Sequence, residues 1–174
     1  MAPHTRPADD RKKQDLMPAL CTGSTHDLPA LLKIEKICFV GDYARHRFRS
    51  SDFSAYLTKP SALFQIAVAG GKPVGYVAGV VRRRSGETNA RLDSIAVLPA
   101  WRRRGIGGQL LKWFLDASQG RQAKLVKLEV LASNKQGLHW FARAGFQEVW
   151  RLPNYYAAGV DGIGMSVTLS EGVD

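Results

Sequence analysis

The sequence has few cysteines and no long apolar run. Its 174 residues include only Cys21 and Cys38, too few for the disulfide framework of a small secreted protein. No apolar segment approaches the ~20 residues that a bilayer-spanning helix needs, and residues 1–15 have no apolar core of a secretory signal. We therefore expect a cytoplasmic protein that makes no membrane contact.

Acidic residues are also scarce relative to basic ones. The chain has 25 lysines and arginines against 15 aspartates and glutamates, a net charge of +10, with arginine clusters at 45–49, 82–84 and 102–104. This charge fits a solvated surface that attracts phosphate groups, and proximity to the ribosome, nucleic acid or another acidic partner is the alternative explanation. A monomer and a homodimer both agree with the sequence.

Length and composition favour one globular domain. Hydrophobic residues make up 45% of the chain and charged residues 23%, as in ordinary globular proteins. Residues 1–15 lack periodic hydrophobicity, which predicts a disordered basic tail. Residues 16–174 are expected to form the domain.

Hydrophobic periodicity predicts a mixture of helices and strands. The helical segments begin near residues 26, 51, 106 and 135, the first with Thr25 as N-cap. Short apolar runs predict seven strands, at 17–21, 63–69, 73–81, 92–98, 125–131, 146–151 and 162–169. Residues 82–89 are expected to form a polar turn, and residues 154–156 to lie in the loop between the last two strands. The odd step from Leu92 to Ile95 predicts a β-bulge near Asp93 or Ser94.

The segment from residue 97 to residue 111 is typical of a strand, a tight glycine loop and the start of a helix. Unpaired N–H groups and the dipole make such a helix start an anion site, and glycines let phosphate approach the backbone. The segment lacks the Gly-Lys-Ser/Thr of nucleotide triphosphate sites and the G-x-G-x-x-G of dinucleotide sites. The segment therefore predicts a site for another diphosphate.

Three motifs carry a resemblance to the GNAT N-acetyltransferase family. Arg102-Arg103-Arg104-Gly105-Ile106-Gly107 resembles the acetyl-CoA pyrophosphate loop, Q/R-x-x-G-x-G/A. Leu128 to Asn134 is similar to the L-E-V-x-x-S-N of RimI-like alanine acetyltransferases, and Asn154-Tyr155-Tyr156 resembles a segment of protein N-terminal acetyltransferases. The resemblance covers about residues 17–170. It implies an α/β fold with a mixed, mostly antiparallel twisted sheet of six to seven strands, helices on both faces, and acetyl-CoA in a splay between the fourth and fifth strands.

The resemblance also implies the site residues. Glu129 stands at the position of the general base, while Glu35, Tyr155 and Tyr156 are expected to contact the acceptor; Tyr43, His46 and Phe48 are either substrate contacts or packing residues. No metal is implied. The expected contacts of acetyl-CoA are Ile95, Ala96, Val97, Arg102, Arg103, Arg104, Gly105, Ile106, Gly107, Gly108 and Asn134.

One position departs from the family pattern. Phe141 stands where the family carries a tyrosine acid, and phenylalanine donates no proton. Either water, Tyr155 or Tyr156 supplies the proton, or the activity differs from that of the relatives.

The implied activity is acetyl transfer from acetyl-CoA to an amine, with a protein N-terminal α-amine as the first hypothesis. Near neutral pH roughly a tenth of α-amines are unprotonated, against less than about a thousandth of lysines. Two alternatives stay open. One is acetylation of a small amine, an antibiotic or aminoacyl-tRNA, and the other is a catalytically silent module that binds CoA or nucleic acid.

Overall fold

The computed structural model describes residues 17–169, so the predicted tail at 1–15 and the last five residues lie outside the described part. The predicted domain boundaries therefore stay predictions. Seven strands are present in the described part: β1 Ala19–Cys21, β2 Ala62–Ala69, β3 Lys72–Arg84, β4 Glu87–Val97, β5 Leu125–Leu131, β6 Gln147–Ala157 and β7 Val160–Thr168. Four α-helices accompany them: α1 Leu28–Cys38, α2 Ser50–Thr58, α3 Ile106–Gly120 and α4 Lys135–Arg143.

The strands form one mixed sheet in the order β1-β2-β3-β4-β5-β7-β6. All neighbouring pairs are antiparallel except β4 and β5, which are parallel and pair only at Ala90 with Val126 and Arg91 with Lys127. Beyond Arg91 the two strands separate. The predicted fold class and the splay between the fourth and fifth strands are both confirmed.

Helices cover both faces of this sheet. Helices α1 and α2 pack over β2, β3 and β4 on one face, around the buried aromatic rings of Phe53, Phe64 and Tyr76. Helix α3 packs on the opposite face through Ile106, Leu110 and Phe114, in a core that also contains residues of α4. Within residues 17–169, no helix is long and apolar enough to cross a membrane.

The β-bulge lies where the sequence predicts it. Ala78 of β3 pairs with Ser94 and the next residue, Gly79, pairs with Leu92, so Asp93 is the extra residue in β4. An extra residue bends the strand and increases its twist. The bulge therefore lies just after the last residue at which β4 pairs with β5.

Two predicted connections are wrong because polar residues continue the strands. Strands β3 and β4 pair as far as Arg84 with Glu87, so the turn is only Ser85-Gly86, both with positive φ, rather than residues 82–89. Likewise Asn154, Tyr155 and Tyr156 belong to β6 and not to a loop. Main-chain pairing does not depend on apolar side chains, which is why hydrophobicity missed these extensions.

The prediction of Thr25 as an N-cap is also wrong. A short 3₁₀ turn, Thr25–Asp27, precedes α1, and it is preceded by Ser24. The backbone N–H and hydroxyl of Ser24 donate to Asp27 at 2.8 and 3.0 Å, so Ser24 and Asp27 together close this turn.

Candidate active site

A cleft of about 680 Å³ opens where β4 and β5 separate. Residues 92–97 of β4 line one wall, and Leu128, Glu129 and Val130 of β5 line the other. The glycine loop and the start of α4 close one end, while the segment between α1 and α2 lies over the other. The predicted motifs therefore meet in one place although they are far apart in sequence.

The loop before α3 presents a row of unused backbone donors. Gly105 is the residue before the helix, and both Arg103 and Gly105 have positive φ, at 60° and 81°. Among the described residues, the backbone N–H groups from residue 103 to residue 108 have no hydrogen-bond acceptor. Such a group of donors at a helix N-terminus is an anion site.

The glycines of α3 leave room beside these donors. A Cβ on Gly108 would have no atom within 4 Å, and one on Gly107 would only reach ordinary contact with Trp140, at 3.4 Å. Both glycines line the cleft. The donors and the open space together fit the pyrophosphate of a CoA ligand.

The three arginines of the loop have different positions. Arg103 lines the cleft, as does Arg102, whose Nε donates to the Val97 carbonyl at 2.9 Å. The guanidinium of Arg104 instead lies over the ring of Trp101, 4.8 Å from its centroid. The side chain of Ile106 is buried in the core, so only its backbone is available to a ligand.

Strand β4 supplies a free backbone edge. Ile95, Ala96 and Val97 pair with β3 on one side, while on the other side β5 no longer pairs with them. All three line the cleft. On this side the Val97 carbonyl already accepts from Arg102 at 2.9 Å and from the Cys38 thiol at 3.5 Å, and the predicted contacts of the three residues with acetyl-CoA stay predictions.

Glu129 is held in an ion pair on the β5 wall. Its Oε2 accepts from Arg91 Nη2 at 2.9 Å and from Nε at 3.1 Å. Arg91 also lies 3.3 Å from Asp93, whose second oxygen accepts from Tyr56 at 2.8 Å. Oε1 of Glu129 has no hydrogen-bond partner among the described residues, so one carboxylate oxygen remains able to accept a proton.

Burial shapes the charge of this cluster. It raises the pKa of Asp93, while the Tyr56 hydroxyl and the Arg91 guanidinium partly offset that rise. Burial also raises the pKa of Tyr155 and Tyr156, with a further contribution from the Glu129 charge. Both tyrosines are therefore neutral phenols at neutral pH.

Tyr155 and Tyr156 lie beside Glu129 but face different ways. The Tyr155 hydroxyl accepts from Arg91 at 3.1 Å, and this side chain is outside the cleft lining. Tyr156 lines the cleft, and its hydroxyl donates to the backbone carbonyl of Glu129 at 3.1 Å. A Cβ at Gly162 on β7 would touch both rings at 3.2 to 3.3 Å, so glycine there lets them pack on the sheet.

Asn134 caps α4 and also contacts the segment between α1 and α2. Its Oδ1 accepts from the Gly137 N–H at 2.9 Å, as an N-cap does. Its Nδ2 donates to the hydroxyl of Tyr43 at 3.2 Å, and the Leu131 N–H donates to the same hydroxyl at 3.0 Å. The cap role is present, and the predicted contact with the CoA arm stays a prediction.

Glu35 is part of the cleft lining although only 2% of its surface is exposed. Tyr76 donates to one carboxylate oxygen, and the Phe48 N–H donates to the other at 2.7 Å. These bonds fix the chain between α1 and α2. The predicted acceptor contact of Glu35 stays a prediction.

Phe141 lines the cleft and is 8% exposed, in edge contact with Trp140 and Phe146.

Sequence reasoning left Arg91 and Asp93 out of the site. Because the bulge at Asp93 interrupts the alternation of side chains in β4, strand spacing alone could not signal that Arg91 and Asp93 meet.

Comparison with known proteins identifies the family. Residues 28–146 match the model of the acetyltransferase (GNAT) family. An N-alpha-acetyltransferase of Sulfurisphaera tokodaii is 31% identical over 154 residues, covering 82% of this chain and 88% of the relative. The N-alpha-acetyltransferase RimI of Mycobacterium tuberculosis is 34% identical over 137 residues, covering 78% of this chain and 82% of the relative.

A solved structure agrees with these relatives. The crystal structure of the ribosomal-protein-S18-alanine N-acetyltransferase from Escherichia coli superposes with a TM-score of 0.72 at 26% identity, covering 91% of this chain and 99% of that one. The chain therefore belongs to the GNAT family of acetyltransferases. It is an N-acetyltransferase, as the motifs predicted, and its relatives include N-alpha-acetyltransferases.

Proposed function

We propose that this enzyme transfers the acetyl group of acetyl-CoA to the α-amine of a protein N-terminus. The observation that carries the proposal is the splayed cleft, with unused backbone donors at one end and the Glu129 carboxylate on the opposite wall. The names of the relatives support an α-amine acceptor. The free α-amine fraction at neutral pH supports the same choice.

The protein residues have distinct tasks in this proposal. The backbone of residues 103–108 would hold the pyrophosphate, and the free edge of β4 would hold the pantetheine arm. Acetyl-CoA supplies an acetyl thioester, which an unprotonated amine attacks. Glu129 accepts a proton from that amine, directly or through one water, and Arg91 holds the carboxylate in place for this step.

The acceptor side is formed by aromatic side chains. Tyr43 and Tyr156 are in edge contact, with ring centroids 5.5 Å apart, and His46 donates to the Tyr156 carbonyl at 2.8 Å. These contacts tie the segment between α1 and α2 to β6. An extended peptide would lie along the cleft beside these contacts, where His46 and Tyr156 form part of its lining.

An acceptor screen tests the proposal. The enzyme is incubated with acetyl-CoA and peptides that differ in their first residue, with the same peptides blocked at the N-terminus, and with a polyamine, an aminoglycoside and aminoacyl-tRNA. Thiol release and product mass are recorded. We expect acetylation of free N-termini and none of blocked peptides. Turnover confined to the small amines or to aminoacyl-tRNA, or no turnover at all, would contradict the proposal.

A further inference from the structure

The structure offers a hydroxyl that can replace the one missing at Phe141. Tyr43 lies in the short 3₁₀ segment Gly41–His46 between α1 and α2. It lines the same cleft as Phe141 and Glu129. Unlike Tyr155 it belongs to the cleft lining, and unlike Tyr156 its proton is not already donated to a protein carbonyl.

The hydrogen bonds of Tyr43 leave its proton free. The phenol oxygen accepts from the Leu131 N–H at 3.0 Å and from Asn134 Nδ2 at 3.2 Å. A phenol has one O–H to donate, and among the described residues this one has no acceptor. The same two N–H donors stay in contact with the oxygen after the proton leaves.

The ring of Tyr43 is fixed by packing. Its edge contacts with Phe39 and Tyr156 have centroid distances of 5.8 and 5.5 Å. A proton donor has to be held within hydrogen-bond reach of its target. The two aromatic contacts and the two hydrogen bonds together hold the hydroxyl at one point of the cleft.

A tyrosine at position 141 would direct its hydroxyl toward the same end of α4. Long side chains in helices lean toward the helix N-terminus, so a tyrosine at 141 would carry its hydroxyl toward the start of α4. Asn134 is the N-cap of α4, and the Tyr43 hydroxyl is bonded to it. Two different elements therefore bring the same chemical group to one end of α4.

We propose that Tyr43 is the general acid of this enzyme, in place of the tyrosine absent at position 141. The inference rests on the proposed acetyl transfer. A C–N bond forms as the C–S bond breaks; Glu129 takes one proton from the amine, and Tyr43 gives one proton to the leaving sulfur. Water in the cleft mouth then returns a proton to Tyr43 and removes one from Glu129, so both residues end the cycle unchanged.

The first test removes only the hydroxyl. Tyr43→Phe should lower kcat by about 10², the usual size of one acid–base contribution, while the KM for the peptide stays within about twofold. Thr58→Val is the control because it removes one bonded hydroxyl from α2 outside the cleft, and its kcat should stay within about twofold of wild type. A kcat of Tyr43→Phe within about threefold of wild type would overturn the proposal. A raised peptide KM at unchanged kcat would also overturn it and make Tyr43 an acceptor contact.

The second test uses ligand binding, without catalysis, to detect a contact between Tyr43 and the CoA sulfur. Calorimetry compares the affinities for CoA and for desulfo-CoA, which lacks the thiol. For each protein we take the ratio of CoA affinity to desulfo-CoA affinity. If Tyr43 contacts the sulfur, this ratio should be about threefold to tenfold higher in wild type than in Tyr43→Phe, which is the size of one hydrogen bond. Thr58→Val should keep the wild-type ratio. Equal weakening of both ligands by Tyr43→Phe would show a merely structural role.

The third test restores the hydroxyl from the other element. Adding Phe141→Tyr to the Tyr43→Phe variant should recover kcat by about tenfold or more. A folded double variant whose kcat does not recover would contradict the inference that hydroxyls at positions 43 and 141 serve the same point of the cleft. If wild type acetylates no peptide, the proposed function fails, yet the two CoA affinities still decide whether Tyr43 faces the sulfur.

Discussion

Arg91 fixes the position of Glu129 on the acceptor side of the cleft. The guanidinium contacts Asp93, Glu129 and Tyr155 at 2.9 to 3.3 Å, so three side chains from three strands depend on one cation. The charge of Arg82 also acts on Asp93 and partly offsets the effect of burial on the pKa of that carboxyl. The cluster therefore balances two carboxylates with two guanidinium groups.

Replacing the Glu129 carboxylate tests its role as base. Glu129→Gln keeps the shape of the side chain but removes the proton acceptor, so kcat should fall by about 10² or more. Steady-state kinetics with a peptide acceptor, together with calorimetric binding of CoA, measure the effect. CoA affinity should stay within about twofold.

Asp93→Asn is the matched control because it also removes a carboxylate that contacts Arg91. We expect it to lower kcat by less than about tenfold. If Glu129→Gln and Asp93→Asn lower kcat by the same factor, the Glu129 carboxylate contributes only through its ion pair with Arg91.

The buried carboxyl of Glu35 makes stability depend on pH. Burial raises its pKa above 4.5, although hydrogen bonds from Tyr76 and Phe48 offset part of the rise. The folded state therefore binds this proton more tightly than the unfolded state. The contribution of Glu35 to the free energy of unfolding is present below about pH 4.5 and is lost as pH rises through the raised pKa.

Glu35→Gln removes this titration. The free energy of unfolding of the variant, relative to wild type, should increase as the pH rises from about 4 to about 7. Urea unfolding followed by circular dichroism at several pH values measures it. A difference that is constant, or that falls with pH, would mean that burial does not dominate at this carboxyl.

At the scale of elements, the start of α3 is built to leave its donors uncovered. Gly107→Val places a branched side chain toward the cleft, where a Cβ would contact Trp140 at 3.4 Å and Val97 at 4.0 Å. CoA affinity measured by calorimetry should fall by tenfold or more, which is about 1.4 kcal/mol.

Gly120→Val provides the control for Gly107→Val. Gly120 ends the same helix, and a Cβ there meets nothing within 4 Å. Its CoA affinity should match wild type, because the cleft is at the other end of α3. An unchanged CoA affinity in Gly107→Val would contradict the assignment of the CoA pyrophosphate to this loop.

The elements that sequence predicted well are those with apolar periodicity. The start of helix α3 and both bounds of β5 were predicted as observed, because their buried positions repeat at helical and strand spacing. Strand β6 was predicted too short. It continues through a register shift at which Asn154 has a φ of 54°, stabilised by Asp161 accepting from the Asn154 N–H.

At the scale of the whole molecule, the motifs identified segments that line the cleft but not the contacts that join those segments. The glycine loop and Glu129 are local patterns that a single segment reveals. The cluster of Arg91, Glu129 and Tyr155 joins three strands, and the bond from Asn134 to Tyr43 spans 91 positions. Such contacts arise from sheet order and packing, which local patterns do not encode.

The most direct measurement of the central claim uses one peptide with a free N-terminus and one internal lysine. It is incubated with acetyl-CoA near neutral pH, and fragmentation mass spectrometry maps the acetyl group. We predict that the α-amine is the group acetylated in the initial phase of the reaction. Glu129→Gln should lower the initial rate by about 10². Acetyl on the lysine alone, or an equal rate with Glu129→Gln, would contradict the account.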